Sequence, residues 1–441
     1  MQADRTITAD GARRMAVLLA LAAGLALTAC GASLVASASV RGRTSSNPSP
    51  SWARTATRPG SDGGTRPASV GDAARLLAGF YKVPAPLGPA PPGAIIRSSV
   101  IRTAGPLPTG ATAYRVLYHS ESDAGGDIAV SGMVIVPGGH PPAGGFPIVS
   151  WAHGTTGVAD QCAPSLGAVT SIAYLAPLLE AGNIVAATDY QGLGTPGTHP
   201  YLVGQSEAQG VLDAVRAARN LEGPAASNTV VVIGYSQGGQ AALFAGQIAQ
   251  SYAPELYLAG VVAIGPVASV TELAPSAPDD RTDADAGFAA TALYAWSATY
   301  GNLPLASVFT GRGLVDTSVI ASSCAGAVGE AYDSAPTKLL FRSGWSASPG
   351  LRADDVANQP GQAPTFAPVM VVQGIDDSLI PYAATTRLVD DSLCRAQHDT
   401  VRYVPIAGAS HSGALQEGEP AILLWIASRM AGGAEVDTCA G

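Results

Sequence analysis

The sequence predicts an α/β fold, a mostly parallel central sheet covered on both faces, with a helical cap inserted between two late strands. Three observations carry that expectation. Short, continuous apolar runs recur at 147–151, 184–188, 230–234, 260–264, 369–373 and 401–405, as in strands buried on both faces. Helical segments separate most of them: over 205–220, Val211, Leu212 and Val215 share one face, and 238–250 carries Ala and Leu. The interval 266–367 breaks the rhythm, with Asp- and Pro-rich loops and a helical stretch from Ala286 to Tyr300 but no convincing core strand. It is too long for a connection and is assigned as the inserted cap.

The first thirty residues are expected to be a targeting signal. Arg13 and Arg14 precede an apolar run over 15–27, followed by Thr28, Ala29 and Cys30. Charged start, apolar middle and small residues read as a secretory leader over 1–30, too short to span a bilayer. Leu27-Thr28-Ala29-Cys30 also resembles the bacterial lipobox, whose cysteine becomes the lipidated first residue; an ordinary signal peptide containing a cysteine is the alternative. The arginine pair leaves the choice between unfolded and folded export open. Residues 31–70, rich in Ser, Thr, Pro, Gly and Arg, are expected to form a disordered tether. The folded domain is expected over 71–441, beginning with a helix that Asp72 caps and that runs to Phe80. From Ala113 the pattern turns to strands: 114–118 and 128–136 flank Ser122-Asp123-Ala124-Gly125-Gly126, a hairpin signal.

Composition bounds the rest. With 47% hydrophobic residues the chain can bury a sizeable core, and with 13% charged it has few positions for a densely charged surface. Its net charge is −9 and its lysines are Lys82 and Lys338 alone, which excludes a nucleic-acid partner recognised through a basic patch. Beyond Cys30 the cysteines are Cys162, Cys324, Cys394 and Cys439. In an exported chain these suggest two disulfides in any of three pairings, with free buried thiols as the alternative. None sits in a C-x-x-C pair, so no zinc site is expected.

The sharpest local feature is Val230-Val231-Val232-Ile233-Gly234-Tyr235-Ser236-Gln237-Gly238-Gly239, a buried strand running into Gly-x-Ser-x-Gly and then a helix. A nucleophilic serine must be held out at a sharp strand-to-helix turn, and the crowded backbone there requires glycine two residues to either side. The helix N-terminus behind it favours developing negative charge. Ser236 is therefore the expected nucleophile; a bare motif could equally be an ordinary βα turn, and its strand-then-helix context is what distinguishes it. The look-alike at Ser346 lacks both the second glycine and the strand.

A serine needs a base, and in this arrangement the order along the chain is Ser, acid, His. Of His119, His140, His153, His199, His398 and His411, only His411 follows the last strand, in the loop Gly408-Ala409-Ser410-His411-Ser412-Gly413. His398 precedes that strand and belongs at the opposite edge of the sheet. The acid should follow the penultimate strand, where Gly374-Ile375-Asp376-Asp377 offers two carboxylates. The Gly-x-x-Asp-x-x-Ile-Pro spacing favours Asp377, with Asp376 the runner-up. The oxyanion formed on attack needs backbone donors. One is expected from Gln237, directly after the nucleophile, and the other from Thr155 in His153-Gly154-Thr155-Thr156-Gly157, after an earlier strand. His153 itself reads as a structural histidine, and the turn Asp189-Tyr190-Gln191-Gly192-Leu193-Gly194 as structural or pocket-lining. The mechanism requires neither metal nor cofactor.

With these groups in order, the chain resembles the secretory lipase family, lipase A type, of the α/β-hydrolase superfamily. The residues that carry the resemblance are His153 to Gly157, Cys162-Ala163-Pro164-Ser165, Asp189 to Gly194, Gly234 to Gly239, the Asp377 loop and His411; it spans roughly 72–441. It implies the cap, hydrolysis of acyl esters with lipids among them, and the disulfides Cys162–Cys324 and Cys394–Cys439, the first pinning cap to core. Where some relatives have an acidic residue near the oxyanion loop, this chain has threonines.

Other readings compete. A peptidase or acyltransferase can use the same groups on the same fold. A peptidase would bind an amine through cap acids such as Asp279, Asp280, Asp283 and Asp285, which a solvated loop explains as well. A non-enzymatic envelope protein is a third class, which an intact triad disfavours. The cap residues Phe288, Leu293, Tyr294, Trp296 and Tyr300 would either line an acyl pocket or pack the cap on the core. The acyl-chain length of the substrate and the oligomeric state stay open at this point.

Overall fold

The computed structural model describes residues 79–102, 105–273 and 285–439. The leader, Cys30, the tether, Asp279, Asp280 and Asp283 lie outside them, and of the helix expected from Asp72 only Gly79 and Phe80 lie inside.

Nine described strands form one sheet: β1 (Ile95–Val100), β2 (Thr112–Glu121), β3 (Asp127–Val136), β4 (Phe146–Ala152), β5 (Ile184–Thr188), β6 (Ala226–Tyr235), β7 (Tyr257–Ile264), β8 (Val369–Gly374) and β9 (Val401–Ile406). Their order across the sheet is β1-β2-β3-β5-β4-β6-β7-β8-β9. The first three pair antiparallel, as does β3 with β5; every pairing from β5 to β9 is parallel. The expected hairpin is β2–β3, longer at both ends than its apolar signal. Strand β1 was not anticipated. It is an edge strand whose Arg97, Ser98 and Ser99 interrupt any apolar alternation, and it is only partly buried.

The central strands alternate their side chains between two cores. Val230 and Val232 face the cluster covered by helices α2 (Gly204–Glu222) and α3 (Gln237–Tyr252). Val231 and Ile233 face the cluster covered by α1 (Leu175–Glu180) and, near the C-terminus, the helix Glu419–Met430. Both faces are thus dry, which is why these strands read as continuous apolar runs.

Between β7 and β8 the chain leaves the sheet. Helices α4 (Ala286–Tyr300), α5 (Gly311–Ser322), α6 (Ala325–Tyr332) and α7 (Pro349–Ala357), with shorter turns, occupy this insert. It has its own apolar centre around Trp296, Phe309, Tyr332 and Leu351, which also takes in Tyr201, Leu202 and Val203 from the loop before α2. Polar ties close it on itself and on the core. Asp355 accepts from the Val270 N–H at 2.7 Å and from the hydroxyls of Ser269 and Thr271, fastening the last insert helix to the first insert loop. Asn358 Oδ1 accepts from the Gly204 N–H at 3.0 Å, and its Nδ2 donates to the Tyr300 hydroxyl.

Candidate active site

The strand order sets the site. The sheet reverses direction of growth at β4, with β5 on one side and β6 on the other, and loops at the carboxyl ends of strands flanking such a switch form a crevice. Thr155 follows β4, Ser236 follows β6, Gly265 follows β7, Asp377 follows β8 and His411 follows β9.

Ser236 caps helix α3 with φ 57° and ψ −116°, a left-handed-side conformation that a non-glycine residue adopts only where its surroundings enforce it. They do so through the flanking glycines. A Cβ on Gly234 would lie 1.8 Å from the Gly238 carbonyl oxygen, and one on Gly238 would lie 1.9 Å from that of Ala152. No side chain fits at either position. The Ser236 N–H donates to the Ile264 carbonyl at 2.8 Å, tying the turn to β7. Gln237 opens the helix, so its N–H has no intrahelical acceptor.

His411 stands over this turn. Its ring packs against Tyr235 with centroids 4.9 Å apart, and its Nδ1 bonds Asp377 Oδ2 at 2.8 Å. The other carboxylate oxygen of Asp377 accepts from the N–H groups of Leu379 and Ile380 at 3.0 and 2.8 Å. Asp377 is buried, whereas Asp376 is exposed and touches the site only through its N–H on the Ala409 carbonyl. Between the two carboxylates the geometry selects Asp377 as the partner of His411. His411 Nε2 is buried and no described residue is hydrogen-bonded to it, so the ring is oriented by the acid with its second nitrogen unpartnered.

Sequence reasoning missed Gln373, the last side chain of an otherwise apolar strand. Fully buried, it donates through Nε2 to Asp377 Oδ2 at 2.9 Å, and its Oε1 accepts from the Thr385 hydroxyl. A polar residue ending an apolar strand at the carboxyl edge was the available signal.

On the other side of Ser236, Gly154 lies so close to Tyr235 that a Cβ there would meet its ring at 3.1 Å. The Thr155 hydroxyl bonds the Tyr201 hydroxyl at 2.7 Å, and the Tyr201 carbonyl accepts from Trp296 Nε1 of the insert at 3.1 Å. His153 is buried and bonds its neighbour's carbonyl, and burial pushes its imidazole down to about 4, which suits a structural residue. Asp189 is structural too. It accepts from the Ser165 N–H and from the hydroxyls of Ser131 and Ser165, binding the Cys162-Ala163-Pro164-Ser165 loop to the end of β5.

A cavity of about 340 Å³ opens beside Thr155, between α4 and α6, lined by Phe288, Thr291, Val328 and Glu330 among others. Of the cap side chains singled out in the sequence, Phe288 lines this cavity, whereas Leu293 and Trp296 are buried in the insert's own core. Disulfides join Cys162 to Cys324 and Cys394 to Cys439. The first fastens α6 to the segment after β4, where Gly157 also bridges Cys324 and the Ala325 N–H donates to the Thr156 carbonyl.

Residues 165–438 match the model of the secretory lipase family. Lipase 4 of Candida albicans is 27% identical over 82% of this chain and 82% of its own length. A probable inactive lipase of Mycobacterium tuberculosis is 32% identical, but the match spans 43% of this chain and 45% of that protein. Among solved structures, Candida antarctica lipase A in its closed state matches with a TM-score of 0.70 at 21% identity, covering 82% of this chain and 87% of that one. A ligand-bound rice cell wall degrading esterase from Xanthomonas oryzae matches with a TM-score of 0.64 at 20% identity, over 76% and 98%. At such identities the structural likeness is one of fold, that of α/β-hydrolase lipases and esterases. Because the family model matches more than half of this chain, the chain belongs to the secretory lipase family.

Proposed function

We propose that the protein is a serine carboxylic ester hydrolase, with Ser236 as nucleophile, His411 as base and Asp377 as the group that orients it. The observation that carries this reading is the His411 imidazole, fixed on Asp377 through Nδ1 and leaning on Tyr235 beside Ser236 with Nε2 unpartnered. In the proposed sequence, Nε2 takes the Ser236 hydroxyl proton as the oxygen attacks the ester carbonyl. The N–H groups of Gln237 and Thr155 meet the oxyanion, the alcohol leaves with the proton from His411, and water then releases the acid from the acyl-enzyme. The insert over 266–367 is read as a cap. The cavity beside Thr155, with Phe288 and Val328 in its wall, suits an acyl chain.

Two disulfides in a member of a secretory family fit export. Lipidation at Cys30, with residues 31–70 as a tether to the membrane, is the proposed form of that export. The test of the activity is hydrolysis of p-nitrophenyl esters by the wild type and by Ser236→Ala. The variant should keep the wild-type melting temperature and lose turnover; turnover that survived in a folded variant would remove Ser236 from the mechanism.

A further inference from the structure

The loop before α2, the first turn of α2 and the first turn of α3 share a buried polar cluster that the mechanism above does not use. Gln237 Nε2 donates one hydrogen to Glu207 Oε1 at 2.8 Å and the other to His199 Nε2 at 2.9 Å. The Leu202 N–H also donates to Glu207 Oε1, at 2.8 Å. His199 donates through Nδ1 to the Gln191 carbonyl at 2.9 Å, which leaves Nε2 as the acceptor that Gln237 needs. Glu207 and His199 are both wholly buried, and Glu207 Oε2 has no hydrogen-bond partner among the described residues. The amide thus spans two fixed acceptors, and its own backbone N–H is the one offered at the head of α3.

We propose that Glu207 is a positioning residue for ester hydrolysis: through the Gln237 side chain it fixes the first turn of α3, whose leading N–H the oxyanion meets. The proposal rests on the ester-hydrolase reading given above.

Glu207 does this as a neutral acid. Burial pushes its carboxyl up to about 8, and the bonds from Gln237 and Leu202 only partly oppose that. The titratable groups around it are His199 at 3.8 Å and Tyr190 and Tyr201 on the same loop, with His153 packed at a tilt against Tyr190, 4.4 Å between ring centroids. Burial lowers both histidines, His199 to about 3 and His153 to about 4, so neither supplies a counter-charge. Ionisation of Glu207 therefore puts an unpaired anion behind the donor that must stabilise a second one, and the rate of the chemical step falls.

The experiment is kcat and KM for a short p-nitrophenyl ester from pH 6 to 10, using the full-length wild type, Glu207→Gln and Glu207→Leu, with melting curves on each. Wild-type kcat should drop on the order of ten-fold above pH 8 at nearly constant KM. Glu207→Gln keeps an acceptor for Gln237 and cannot ionise, so its alkaline limb should be missing. Glu207→Leu removes the acceptor and should lower kcat roughly ten-fold at pH 7 without raising KM to match. An alkaline limb unchanged in Glu207→Gln overturns the proposal alone, even if Glu207→Leu fails to fold. A folded wild type with no esterase activity overturns the parent reading and this one together.

Discussion

Gly265 and His411 are in contact through the glycine's missing side chain: a Cβ at Gly265 would lie 2.9 Å from His411 Cε1 and 3.0 Å from Nδ1. Gly265 directly follows β7 with φ 52°, and its N–H donates to the Val372 carbonyl on β8. The imidazole therefore rests on backbone, between the strand that leads to Ser236 and the strand that leads to Asp377. Gly265→Ala must either push the ring off Asp377 or tilt it away from Ser236. Turnover should fall about a hundred-fold with a modest change in melting temperature. Steady-state kinetics together with a crystal structure of the variant would check both, and wild-type kcat would show that the ring tolerates displacement.

The two adjacent carboxylates separate cleanly in the structure, and mutation should separate them in the same way. Asp377→Asn keeps the shape but replaces an acceptor of His411 with an amide, so kcat should drop by about 10³ to 10⁴. Asp376→Asn alters an exposed side chain and should leave kcat within about two-fold of wild type. Comparable losses in both variants would contradict the assignment.

Two buried histidines set a pH signature. Burial depresses the folded values of His153 and His199 to about 4 and about 3, below the unfolded 6.5. Below pH 6.5 the unfolded chain binds protons that the folded chain refuses. The stability these residues contribute is full above pH 6.5 and is lost as pH falls through that window. In nitrogen-15 spectra both rings should stay neutral from pH 8 to 5, His199 with its proton on Nδ1; titration of either above pH 6 would refute the burial argument.

The sequence was most legible where chemistry and backbone geometry coincide. The glycines around Ser236 announced the sharp turn because no other residue fits there, and strand β9 located His411 by chain order. Periodicity gave the dry central strands for the same reason, since both faces of β6 are apolar. It failed at β1, an edge strand with no apolar alternation to detect. It also passed over Glu207, His199, Gln373 and Tyr201. Each acts through another side chain, and their meeting depends on which loop returns beside which helix. Glu207 in particular sits in a segment whose apolar face had explained the helix without it.

The central claim is that Ser236 is the activated nucleophile, and an active-site label tests it most directly. Full-length protein should react with a fluorophosphonate probe to give a single covalent adduct, located by peptide mass spectrometry on Ser236, with Asp377→Asn labelling more slowly. An adduct on another residue, or none on a folded protein that hydrolyses esters, would contradict the account.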